Sequence, residues 1–209
     1  MMASLALLAL AVPVAAQHEG HGGGQFPAGW QGRVDRENQN IADVRLMSMA
    51  SGLHVITGPH VILWQPQRTG TGWFRASATF TQSKAPERLE GFGILAGGRD
   101  LSAATQDYLY FLVRHDGSYL IRHRAGADVH TLQDWTPHAA VVRAGAASSA
   151  RNTLAIEALP NEVRFVVNDQ IVHTIARVPM LRTDGIVGLR VGHHLDVVVS
   201  ELAVTSISK

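Results

Sequence analysis

Residues 108–124, YLYFLVRHDGSYLIRHR, decide the fold. Two runs rich in aromatic and branched apolar residues flank His115-Asp116-Gly117-Ser118. Asp-Gly is a favoured pair where both central residues of a tight hairpin take positive φ. A two-residue turn at Asp116-Gly117 sets Arg114 opposite Tyr119, Leu112 opposite Ile121 and Tyr110 opposite His123. Alternate side chains of a strand share a face. One face of the hairpin then carries Tyr108, Tyr110, Leu112, Arg114, Tyr119, Ile121 and His123. The other carries Leu109, Phe111, Val113 and Leu120, with Arg122 and Arg124 beyond, and reads as core near the turn. The first face, aromatic with polar tips, suits contact with sugar rings or a partner protein. The alternative is that it too is buried, under a loop or the N-terminal segment. A loop longer by one residue inverts the assignment.

Outward from this hairpin the same texture repeats. Short β-type runs broken by turn residues cover 52–57, 61–64, 73–82, 91–96, 139–143, 152–158, 162–167, 170–175, 185–191 and 196–205. Asn168-Asp169 punctuates VRFVV and QIVHTI, and Asp184-Gly185 opens GIVGLRV. The segment around Ile41–Met49 is the one plausible helix. Without helices to cover parallel strands the sheets are antiparallel, and about a dozen strands make two stacked sheets. The expectation is an all-β, two-sheet antiparallel sandwich over residues 44–209.

Composition agrees with one domain: 209 residues, 46% hydrophobic and 17% charged. Net charge is +1 with the histidines neutral, so no general field recruits nucleic acid or anionic lipid. Arg114, Arg122, Arg124 and Arg143 are scattered rather than striped, which sets nucleic-acid binding aside. There is no cysteine, hence no disulfide, thiolate chemistry or lipidated N-terminal Cys. Residues 1–16, MMASLALLALAVPVAA, read as a signal peptide, with an apolar run too short to span a bilayer and small residues before Gln17. The n-region lacks Lys and Arg, and the alternative is an uncleaved anchor. Residues 17–43 read as a Gly/His-rich tether and lead-in, whose His18 and His21 supply too few ligands for a defined metal site. The expected location is periplasmic or secreted.

From about Gly70 onward the chain resembles the concanavalin A-like jelly rolls: laminin-G-like modules and exported domains akin to the 3-keto-disaccharide hydrolase family. The resemblance rests on GFGILAGGRDL, YLYFLVRHDGSYLIRHR, NTLAIEALPNEVRFVVNDQIVHTI and GIVGLRVGHHLDVVVSELAV. It implies a jelly roll of two antiparallel sheets. Such folds host lectins, glycosidases and inert adhesion modules alike. The glucanases among them use an E-x-D-x-x-E strand that this chain lacks, and YLYFLVR stands where a keto-sugar hydrolase would carry carboxylates.

No catalytic set emerges from the residues. Hydrolysis of a glycosidic bond asks for two convergent carboxylates. Asp116, Asp169 and Asp184 are used in turns, Glu87 and Glu90 lie in a loop-like stretch, and Glu157, Glu162, Asp196 and Glu201 are isolated. There is no G-x-S-x-G. The candidate ligand-binding residues are Tyr108, Tyr110, Arg114, Tyr119 and His123. Asp100, in the loop Gly97-Gly98-Arg99-Asp100, and His193 are the candidate metal ligands. No cofactor is expected, with a structural calcium ion left open. Neighbouring His193 and His194 point to opposite faces of an extended strand and do not chelate one ion together. Three functions stand side by side. The first is a non-catalytic exported module that binds a glycan or docks on an envelope protein complex. The second is a keto-sugar or glycoside hydrolase, metal-assisted through His193 or Asp100. The third is an accessory subunit of a membrane-associated assembly, held to the membrane only through a partner or an uncleaved N-terminus.

Overall fold

The strand-forming runs close into two antiparallel sheets in the computed structural model, which describes residues 23–146, 148–179 and 181–208. Among these residues sheet A has seven strands, in the spatial order β1 (Gln31–Val34), β4 (Val61–Gly70), β13 (Gly185–Val191), β6 (Gly91–Arg99), β7 (Asp107–Arg114), β8 (Ser118–Ala125) and β9 (Asp128–Pro137). Sheet B also has seven: β12 (Gln170–Ala176), β11 (Glu162–Val167), β10 (Ala150–Ala158), β5 (Phe74–Gln82), β14 (Asp196–Ser206), β3 (Gly52–Thr57) and β2 (Val44–Met49). Residues 1–22, with the signal peptide, His18 and His21, lie outside the described residues.

The inner faces meet in one apolar core. Leu63, Phe92, Ile94, Phe111 and Leu189 of sheet A pack against Phe80, Leu154, Phe165 and Val197 of sheet B. Ring pairs bridge the layers: Phe80 and Phe92 lie 5.3 Å apart, as do Phe111 and Phe165. Sheet A is apolar on its outer face too, where Ile62, Trp64, Leu95, Tyr108, Tyr110, Leu112 and Leu120 form a second cluster.

Five details differ from the sequence reading. The 108–124 hairpin closes through three residues: Val113 pairs with Tyr119, Phe111 with Ile121 and Leu109 with His123. Gly117 takes φ 86°, and Asp116 Oδ1 accepts from the Ser118 amide at 3.0 Å. The extra loop residue moves Tyr119 and Ile121 into the core and leaves Tyr108 and Tyr110 on the outer face. The segment 44–49 is strand β2, with Val44 and Leu46 buried, and only Ile41–Asp43 before it makes a 3-10 turn, capped by Asn40. Residues 139–143 form a turn whose Ala140 and Val141 enter the core. The Asn152 amide replaces the strand partner there, bonding Val142 N at 2.8 Å and Val142 O at 2.9 Å. Finally, Gln31 and Gly32, read as the end of a tether, open β1 against Trp64 and Leu63, and β9 extends sheet A by a strand the sequence does not announce.

Phe111→Ala empties the space between Tyr119 and Phe165 and is expected to cost about 3–5 kcal/mol in chemical denaturation. Ile171→Ala, at the exposed edge of sheet B, is expected to stay within about 0.5 kcal/mol of wild type.

Candidate functional site

Alternation along sheet A sends one set of side chains inward and the other onto an outer face that is roofed only in part. A cleft of about 340 Å³ opens there, within the range of small-ligand sites. Its floor comes from Arg190 of β13, Tyr110 and Leu112 of β7, and Leu120, Arg122 and Arg124 of β8. Trp135 and Val129 of β9 wall one side, and Asp35, His60, Glu90 and His193 line the ends of the strands.

Arg190 is the centre of the floor. Its guanidinium is buried and forks onto Asp35, with Nη1–Oδ1 at 2.9 Å and Nη2–Oδ2 at 2.5 Å. Nη1 also donates to the Tyr108 hydroxyl at 2.9 Å, and the group lies 4.7 Å over the Tyr110 ring. Burial pulls Asp35 upward, but the hydrogen bonds and charge of Arg190, with His60 and Arg124 adding to them, bring its carboxyl down to about 2. Burial would favour a neutral Arg190, yet Tyr108 and Asp35 hold it protonated. Burial also raises the Tyr108 phenol. Burial first, then Arg190 and His193 beside it, push His60 down to about 4, against the opposing pull of Glu90 and Asp35.

Trp135 of β9 reaches over β8 and β7 to the start of β6, where residue 91 is glycine: a Cβ there would stand 2.7 Å from the indole. Arg114 stacks on the same ring at 4.4 Å while its Nε bonds Asp116 at 2.8 Å. Arg122 Nε is buried without a protein partner, and its Nη2 lies 3.8 Å from Asp134. Arg124 Nε donates to Gly126 O at 3.0 Å.

The five residues predicted from the hairpin part company here. Tyr110 lies in the cleft floor, Tyr108 beneath it on Arg190, and Arg114 behind Trp135. Tyr119 points between the sheets, its hydroxyl 3.4 Å from His173 Nδ1. His123 follows the Tyr119 face, 3.2 Å from Asp107 and stacked on His130. Asp100 sits exposed in a left-handed turn after β6 and joins no group of three metal-type ligands among the described residues. His193 does, with His60 and Glu90. His193 and His194 lie in the turn after β13 rather than on a strand, with His194 at φ 49°. Asp35, His60, Glu90, Trp135 and Arg190 were not singled out in the sequence. The one signal they share is position, since four of them stand at or near strand ends.

No family model and no curated protein sequence matches the chain. Solved structures do. The carbohydrate-binding module CBM66 from Bacillus subtilis is similar over 85% of this chain and 96% of its own, with TM-score 0.61 and 10% identity. A protein of unknown function with a galectin-like fold from Bacillus subtilis gives TM-score 0.55 at 11% identity, over 85% of this chain and 89% of its own. Bacillus licheniformis β-glucanase gives TM-score 0.54 at 13% identity, over 90% and 96%. At these identities the likeness is one of fold, and the fold is the concanavalin A-like jelly roll.

Two outcomes follow from the electrostatics. Asp35→Asn leaves the buried Arg190 charge uncompensated and is expected to lower stability by about 3–5 kcal/mol, read by denaturant titration. Between pH 6.5 and about 4 the unfolded state protonates residue 60 while the folded state does not, so stability falls as pH falls across that window. In chelator-treated buffer, His60→Gln is expected to remove that part of the slope.

Proposed function

We propose that the chain is a non-catalytic carbohydrate-binding module that takes a glycan into the cleft over sheet A. The observation that carries this reading is the pairing, in one cleft, of the Trp135 indole with the Arg122 and Arg124 guanidiniums. An indole face receives the apolar side of a sugar ring. Charged donors beside it bond hydroxyls more strongly than neutral ones do, and Arg122 Nε has no protein acceptor.

The Asp35 carboxylate supports binding over hydrolysis. A glycosidase needs one carboxyl that gives up a proton near neutral pH. Asp35 is held ionised and serves Arg190 instead. The similarity in fold to the carbohydrate-binding module CBM66 supports the same reading. The signal-like residues 1–16 support a place outside the cytoplasm, where such a module would meet polysaccharide or an envelope protein.

Screening the purified chain on a glycan array, with a parallel assay for turnover of glycosides and keto-sugars, tests this. Binding without turnover is expected, weakened at least about 10-fold by Trp135→Ala and by Arg122→Ala and unchanged by Ile171→Ala. Turnover sinks the non-catalytic reading. Binding that survives both cleft variants removes the cleft as its site, and silence on the array directs the search to a protein partner.

A further inference from the structure

At one end of sheet A three neighbouring strands stop side by side. Val191 of β13 lies in register with Val61 of β4 on one side and Phe92 of β6 on the other. His60 comes just before β4, Glu90 just before β6 and His193 just after β13. Pairing of the strands therefore delivers three side chains from distant parts of the sequence to one corner of the cleft.

Their donor atoms lie within 4.8 Å of one another. Glu90 Oε2 stands 3.8 Å from His60 Nε2, and Oε1 stands 3.5 Å from His193 Nδ1. The two imidazole rings are 3.7 Å apart between centroids, tilted by 53°. A tetrahedral ion with bonds of about 2.0–2.1 Å spaces its ligands by about 3.3–3.5 Å, so small side-chain rotations bring all three atoms onto one centre. The side chains are 31%, 19% and 32% exposed for His60, Glu90 and His193, neither sealed in the core nor loose on the surface.

The surroundings fit the same purpose. Residue 192 is glycine where a Cβ would stand 2.7 Å from Glu90 Oε2, and its amide bonds Gly91 O at 2.9 Å, which fixes the turn. The Gln39 amide lies 3.4 Å from His193 Nε2, the ring nitrogen turned away from Glu90. A partner at that nitrogen is what orients a ligating histidine. Arg190, a neighbouring fixed cation, is already neutralised by Asp35.

We propose that His60, Glu90 and His193 form a site for a divalent transition-metal ion, Zn²⁺ first among them, with a coordination position open to the cleft. Two imidazoles and one carboxylate are a borderline nitrogen and oxygen set, which such ions take. Ca²⁺ and Mg²⁺ ask for about six or more oxygens or an octahedron of them. Three protein ligands leave the fourth position to water or to a bound molecule. The site does not depend on the glycan reading, because the metal alone probes it.

Calorimetric titration of Zn²⁺ into the chelator-stripped full chain tests the proposal, with Co²⁺ in its place to read coordination from visible absorption. One equivalent is expected to bind. Glu90→Gln and His193→Ala are each expected to weaken binding at least about 100-fold and to change the Co²⁺ spectrum, with circular dichroism of the metal-free variants unchanged. Should His193→Ala fail to fold, the near-isosteric Glu90→Gln decides alone. The double variant His18→Ala/His21→Ala is expected to keep full affinity. The absence of stoichiometric binding overturns the site, and so does affinity unmoved by the variants at 90 and 193. Loss of binding in the His18/His21 variant overturns it as well.

Discussion

A guanidinium buried in the floor of a sheet must have its charge met on the spot, and the arrangement of Arg190 follows from that requirement. Asp35 meets it with a two-point fork, Tyr108 takes a further N–H, and the Tyr110 ring supplies a third contact. Asp35 stands immediately after β1, so the fork fastens the N-terminal edge of sheet A and lays the following segment along the cleft. Removing either ion would strand the other in a poorly solvated place. The same pair sets the electrostatics of the neighbourhood. It keeps Asp35 ionised, and its Arg190 member, against the pull of Asp35, helps burial to hold His60 well below the usual imidazole range. Local shape and charge both trace to one contact.

The fold was largely legible because strand texture is local. Alternation, branched and aromatic residues, and turn pairs such as Asn168-Asp169, at φ 48° and 63°, are written within a few residues of where they act. Register is less local. Asp-Gly marks the turn at 116–117, but the Asp116 carboxylate bonding the Ser118 amide makes the loop one residue longer. That single residue sends Tyr119 and His123 to the opposite face from Tyr108 and Tyr110. β9 escaped notice because an edge strand half in solvent need not alternate, and DVHTLQDWTP does not. Residues 139–143 misled for the converse reason: their apolar side chains serve the core from a turn, with Asn152 standing in for a strand.

The candidate site was the least legible part. His60, Glu90 and His193 sit one or two residues outside their strands, where sequence suggests only loop. Their meeting depends on which strands are neighbours and in what register, and no window along the chain holds that information. His193 was visible as a histidine, not as a member of a set. Arg190 lies within an apolar strand, GIVGLRV, and its partner lies before the region in which strands were expected. Two-sided alternation in sheet A thus has an unequal outcome. The inner face is devoted to cohesion, while the outer face combines cohesion with polar groups open to the cleft.

The rim of sheet A matters as well. β9 exposes Asp128, His130 and Asp134, ends at Pro137 and slips register twice against β8. An unpaired row of backbone donors and acceptors is a template on which another chain can grow. Charges that repel a like copy, irregular spacing that spoils a continuous ladder, and a proline without an N–H all degrade that template. The sheet therefore terminates where β9 ends it, with an edge poorly suited to strand-on-strand growth beside its broad outer face.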